Sequence, residues 1–188
     1  MRTLLTTAAL AAAVTFSASA QEFTADTSLA DDDRVVRSVS LEDLKAIAIS
    51  EGHEITETGG EGDVSLRAVN SDGLIFHLIG TACDTQYSED CLGMMVQVRY
   101  DSDADVTDAM INEANLAYAA VSTWWDKEGE TVGVTRYIIL DGGQRMENVK
   151  INLQNALALG PLVADTVWPY DDEDMYDWMW DEDEESED

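Results

Sequence analysis

Positive charge is what this sequence has least of. Ten lysines and arginines stand against 39 aspartates and glutamates, a formal net charge of −29. Phosphate binding depends on Lys and Arg displacing counterions, so nucleic acid is excluded as a default partner, and an anionic membrane surface with it. Only two histidines occur, His53 and His77, the second inside an apolar run. A zinc site needs three or four nitrogen or sulfur donors, so neither is read as a ligand. No G-x-S-x-G serine, phosphate-binding loop or dinucleotide glycine pattern appears, and no nucleophile stands beside a base. The expectation is therefore a protein without enzymatic activity and without a cofactor.

Long apolar runs are missing too. The longest, from Leu4 to Phe16, falls short of the about 20 residues that a membrane span needs. It follows the basic Arg2 and leads into Ala18-Ser19-Ala20, the three-part layout of a secretory signal peptide with a small-x-small cleavage site. Residues 1–20 are read as that peptide, with a mature chain from Gln21 that is periplasmic or secreted and is not inserted in the membrane. Its net charge is −30, because Arg2 leaves with the peptide. The acidity itself fits either solubility in a salty environment or a functional role.

Cysteine is scarce, but the two present are informative. In an exported chain, Cys83 and Cys91 are expected to be bonded to each other. Seven residues separate them, where a redox-active pair sits as Cys-x-x-Cys, so the bond is read as structural. Closing such a loop is worth roughly 2.5 kcal/mol in the chain-entropy account.

What is present follows from periodicity. Residues 21–39 hold acids, Arg34 and Arg37 but no period, and are read as a mobile lead-in. Ser40-Leu41-Glu42-Asp43 resembles a capping box with Asp for Glu, opening a helix that Gly52 ends. Residues 56–62 are polar and glycine-rich, hence a loop. Two β-rich runs, 64–69 and 74–79, flank the turn Asn70-Ser71-Asp72-Gly73, a hairpin signature. A strand over 92–100 places Met94, Val96 and Val98 on one face, with Gln97 and Arg99 on the other. From Thr107 to Tyr118, Met110, Ile111, Ala114, Ala117 and Tyr118 form a helical stripe, with Asn112 and Asn115 about one turn apart. The run 121–125 is β-branched and aromatic. A turn at 126–129 joins it to a strand over 131–140. Asp141-Gly142-Gly143 breaks the chain before a final helix over 147–167, which Gly160-Pro161 is expected to kink or split. The expected fold is α+β, a mainly antiparallel β-sheet with flanking helices in the order α-β-β-β-α-β-β-α.

Cys91-Leu92 leading into a strand that ends at Tyr100, then Ile111-Asn112-Glu113-Ala114-Asn115, Trp124-Trp125 and Gly142-Gly143 form a pattern that resembles the YbjN family. The resemblance spans residues 41–168, with Ala114 where the family commonly has an aromatic. That family is described as sensory-transduction regulators, with a fold similar to type III secretion chaperones. The resemblance implies a protein-binding role, chaperone-like or regulatory, and carries no catalytic residues with it. An unidentified protein partner is expected, and a homodimer is left open. Candidate partner-binding residues are Asn112, Asn115 and Trp124, with Trp178 and Trp180 of the tail.

Two features suggest a second reading, a divalent-cation-binding acidic protein. Asp101, Asp103 and Asp105 match the first three ligand positions of an EF-hand loop. Position six is Val106 where glycine is required, and position twelve is Asn112 where glutamate is required, so no metal site is assigned. Helix N-terminal charge and capping account for the turn instead. The tail, residues 169–188, has 12 acids and no base from Asp171 onward, interleaved with Met175, Tyr176, Trp178, Met179 and Trp180. Such a composition docks on a basic, grooved partner or packs back on its own domain; composition alone leaves both open.

Overall fold

The computed structural model describes residues 23–102 and 105–169. The segment read as a signal peptide, Asp103, and residues 170–188 with Trp178 and Trp180 lie outside the described residues. Hydrophobic alternation builds the centre of the fold. Strands β2 (Glu54–Thr58), β3 (Ser65–Val69), β4 (Ile75–Thr81), β5 (Gly93–Asp101), β6 (Ser122–Asp126) and β7 (Thr131–Ile139) form one sheet in the order β2-β3-β4-β5-β7-β6. Every neighbouring pair is antiparallel. Ile55, Leu66, Ala68, Phe76, Leu78, Met94, Val96, Val98, Val132, Val134 and Ile138 share one face through this register, and all are buried. Helices α1 (Leu41–Ser50) and α3 (Met146–Val167) contribute Leu44, Ile47, Val149, Leu153, Ala156 and Val163 to the same core. The α+β class and the mainly antiparallel sheet are as the periodicity predicts.

Local chemistry sets the boundaries. The Ser40 hydroxyl accepts the Asp43 amide, and the Asp43 carboxylate accepts the Ser40 amide, so the capping box forms with Asp in its third position. At the other end of α1 the His53 amide donates to the Ala48 carbonyl and the Gly52 amide to that of Ile49. This is the Schellman pattern, and Gly52 takes the positive φ of 80° it requires. The β3–β4 turn closes on Asn70, whose Oδ1 accepts the amides of Asp72 and Leu74.

Three expectations are corrected. First, the loop predicted from Thr56 begins instead inside strand β2. Four of its five residues are polar, and a register shift between Ile55 and Glu57 breaks the two-residue period, so only Ile55 reports the core. Second, the lead-in is packed rather than loose over its described part. A 3₁₀ turn (Thr27–Ala30) precedes β1 (Val35–Val36), which pairs with β8 (Gln144–Arg145). Ala30, Val36 and Val39 are buried, and Arg34 meets the buried Asp43 at 2.5 Å. Isolated apolar side chains in an acidic segment have no period, yet each finds its own hole. Third, α3 is not split: it continues through Pro161 as one helix. A proline ring costs a helix one hydrogen bond, whereas Gly160 lets the helix lie close on the sheet. A Cβ at Gly160 would stand 3.3 Å from both the Tyr100 hydroxyl and Val98 Cγ2. Packing against β5 therefore holds the helix through the proline.

Helix α2 (Asp108–Ala117) starts at the Thr107 cap, as expected. Its apolar stripe is narrower than predicted. Ala114 is buried, Ile111 and Tyr118 are partly so, and Ala117 faces solvent, because α2 packs mainly on α3 and the edge strand β6.

Candidate functional site

The second face of the sheet is the candidate site. Among the described residues no helix covers it, since the packing of α1 and α3 falls on the opposite face. Register places Ile79, Met95 and Tyr137 in one row across β4, β5 and β7, with Thr81 and Ile139 beyond them. Tyr137 and Ile139 are 49% and 62% exposed. The next row carries Arg67, His77, Gln97 and Thr135, and the row after it Ile75, Arg99 and Gly133.

A polar chain crosses this face. The indole N–H of Trp124 donates to Thr135 Oγ1 at 2.9 Å, and Gln97 Nε2 donates to the same hydroxyl at 3.1 Å. Arg99 Nε donates to Gln97 Oε1 at 2.7 Å, and its Nη1 meets Glu61 Oε1 at 2.7 Å. Trp124 lies flat over Gly133, where a Cβ would stand 2.0 Å from the ring. Glycine is needed there for the indole to rest on the sheet. Burial is the main cause that lowers the His77 pKa, and the neighbouring Arg99 adds to it. The hydrogen bond from Arg99 holds the Glu61 carboxyl below its ordinary value.

Both sheet edges are interrupted as templates for strand addition. On β6, Asn115 from α2 does the closing. Its Oδ1 accepts the Thr123 amide at 2.8 Å, and its Nδ2 donates to the Thr123 carbonyl at 2.9 Å and to the Ile111 carbonyl at 3.0 Å. The side chain imitates a strand partner and takes the edge groups that another chain would use. On β2, the register shift, Glu54 and Glu57 interrupt the edge.

The predicted residues thus divide. Trp124 belongs to the open face. Asn115 is a structural clasp between α2 and β6, and Asn112 is exposed on α2, away from the sheet face. Cys83 and Cys91 are bonded, their Cα atoms 3.8 Å apart. Cys91 is buried and also exchanges both backbone hydrogen bonds with Val39, so the bonded loop anchors the N-terminal segment. Asp101 and Asp105 are exposed, and among the described residues no three His, Cys, Asp or Glu side chains gather where they could hold a metal ion. The sequence reading missed Glu61, Arg67, His77, Gln97, Met95, Thr135 and Tyr137 as one surface. Gln97 and Arg99 opposite Met94, Val96 and Val98 was the available signal, and it identified a face without its neighbours.

The class is thus an α+β protein with a six-stranded antiparallel sheet that, among the described residues, carries helices on one face and none on the other. No family model matches the chain, and no curated protein does, so the likeness to the YbjN family rests on the residues quoted for it. Among solved structures, the chain is similar to one in the HopA1–SchA chaperone–effector complex. The match has a TM-score of 0.37 and 10% identity, and covers 50% of this chain and 70% of that one. A likeness that distant carries no argument about function.

Proposed function

We propose that this is a non-enzymatic, exported interaction module, chaperone-like or regulatory, that binds an extended segment of a partner protein on its open sheet face. One observation carries the reading: among the described residues no helix covers the face, which exposes Tyr137 and Ile139 beside the half-buried Met95 and Trp124, while both edges of the same sheet are interrupted. A large exposed face with apolar and hydrogen-bonding groups is the surface an interaction protein needs. The bonded cysteines fit an oxidising compartment such as the periplasm.

The test is photocrosslinking of the mature protein in the periplasm from a probe at position 137 on the open face, and from one at position 162 on α3. A specific adduct is expected from position 137. Equal labelling from both positions, or an adduct from 162 alone, would remove the sheet face from the reading.

A further inference from the structure

A short strap lies on the open face, and among the described residues Ser65 and one ion pair fasten it there through side chains. It is the β2–β3 connection, which carries Gly59, Gly60 and Gly62. Gly59 and Gly62 have φ of +81° and +113°, and a Cβ at either would meet nothing within 4 Å. The strap thus has near each end a glycine in left-handed backbone, which glycine adopts without strain. Its base is fixed by Ser65, whose hydroxyl accepts the Glu61 amide and donates to the Gly62 carbonyl. Its tip, Glu61, spans β3 and β4 to reach Arg99 on β5. Gly60 and Glu61 stand beside Ser65, Arg67 and His77 around a cavity of about 130 Å³. Each member of the Glu61–Arg99 pair is about one-third exposed (34% and 33%), so water reaches the bond and can compete for it.

Arg67 supplies the second observation. It lines the same cavity, pairs with His77 across the ladder, and its guanidinium makes no hydrogen bond or ion pair with the described residues. In so acidic a chain, one guanidinium without a partner among the described residues and another with an exchangeable one sit together on the open face.

We propose that the Gly59–Gly62 strap is a latch on the docking face, and that an incoming segment opens it by placing its own carboxylate on Arg99 and Arg67. The inference rests on the sheet-face reading and names the partner's chemistry: an extended peptide in which a carboxylate flanks an aromatic or aliphatic side chain. The apolar group would lie on Met95 and Tyr137 while the carboxylate replaces Glu61.

The experiment uses the full mature chain at 150 mM salt and three fluorescein-labelled peptides, of alternating Glu and Tyr, Gln and Tyr, or Lys and Tyr, read by anisotropy. The Glu–Tyr peptide is expected to bind more tightly than the Gln–Tyr peptide. Glu61→Gln should tighten Glu–Tyr binding by roughly two- to fivefold, the worth of an exposed ion pair. It should also speed hydrogen exchange at the amides of residues 60–62. Arg99→Gln should erase the preference for Glu over Gln. Unchanged affinity and unchanged exchange in Glu61→Gln would overturn the latch. Tightest binding of the Lys–Tyr peptide, still weakened by Tyr137→Asp, would overturn the carboxylate chemistry while the docking face stood. Binding of no peptide, or binding indifferent to Tyr137→Asp, would overturn the sheet-face reading together with the latch.

Discussion

At the scale of single residues, a side chain's hydrogen bonds separate structure from site. Asn115 meets two carbonyls and one amide, so its polar groups are satisfied inside the molecule. Asn115→Ala leaves the Thr123 amide and carbonyl without partners and opens the β6 edge. A loss of about 1–3 kcal/mol is expected, read from the denaturant midpoint, with increased self-association at high concentration. A neutral substitution would mean that water or a neighbour takes over these groups. His77 makes a second prediction. Its pKa is lowered in the fold by burial and then by Arg99 and Arg67, with Glu61 and Glu57 pulling the other way. A depressed imidazole contributes stability above its ordinary value of 6.5, and that contribution is lost as the pH falls toward its folded value. His53, lowered mainly by burial, acts in the same direction. The melting temperature should therefore fall on acidification below about pH 6.5, and less steeply in His77→Gln. Parallel profiles for the two proteins would show that His77 does not contribute.

Elements behave differently from residues, because their type is local while their partners are not. The bonded loop between β4 and β5 shows this. Ala82 and Asp84 on either side of Cys83 have φ of 52° and 51°, a left-handed backbone that non-glycine residues adopt at a cost. Gly80 lies beneath, where a Cβ would stand 2.5 Å from Cys91 Sγ. The loop is held in this shape by its bond and by the Val39–Cys91 pair. Mass spectrometry of periplasmic protein should find no free thiol. Cys83→Ser with Cys91→Ala should lower stability by about 2–4 kcal/mol, with the N-terminal segment losing protection first in hydrogen exchange. Two free thiols in that material would count against both the bond and export. Strong local signals made most elements legible: the Ser40 capping box, Gly52, the Asn70–Gly73 turn and the alternation of β5. Strand β2 and the β1–β8 pair were not legible. Two-residue strands and a bulged polar strand become β only by having a neighbour to bond.

For the whole molecule, charge is the dominant quantity. A chain of net charge −29 attracts divalent cations diffusely. Calcium titration calorimetry should give weak heats without a one-to-one stoichiometry, abolished by moderate salt. A micromolar single site lost on Asp103→Ala would instead place a cation at the acidic turn. The same charge bears on the tail. Its 12 acids face a body of net charge −18, so electrostatics and chain entropy both oppose ordering it there. Trp168, by contrast, packs against the Tyr100 ring at 6.1 Å. A chain ending at Pro169 keeps that contact, and its melting temperature is expected to stay within a few degrees of the full chain's. Failure of the shortened chain to fold would assign Trp178 and Trp180 to the core.

The amino-acid sequence by itself determined the charge, the cysteine pair, the α+β class and the inward face of each strong strand. All of these rest on composition or on contacts between near neighbours. Only the tertiary structure decided which outward faces lie side by side. Arg67, His77, Gln97 and Thr135 come from four strands, and register alone aligns them. The clasp of Asn115 on Thr123 and the reach of Glu61 to Arg99 depend likewise on where helices and turns settle after packing. Burial leaves a period in the sequence, whereas a surface shared by distant strands leaves none.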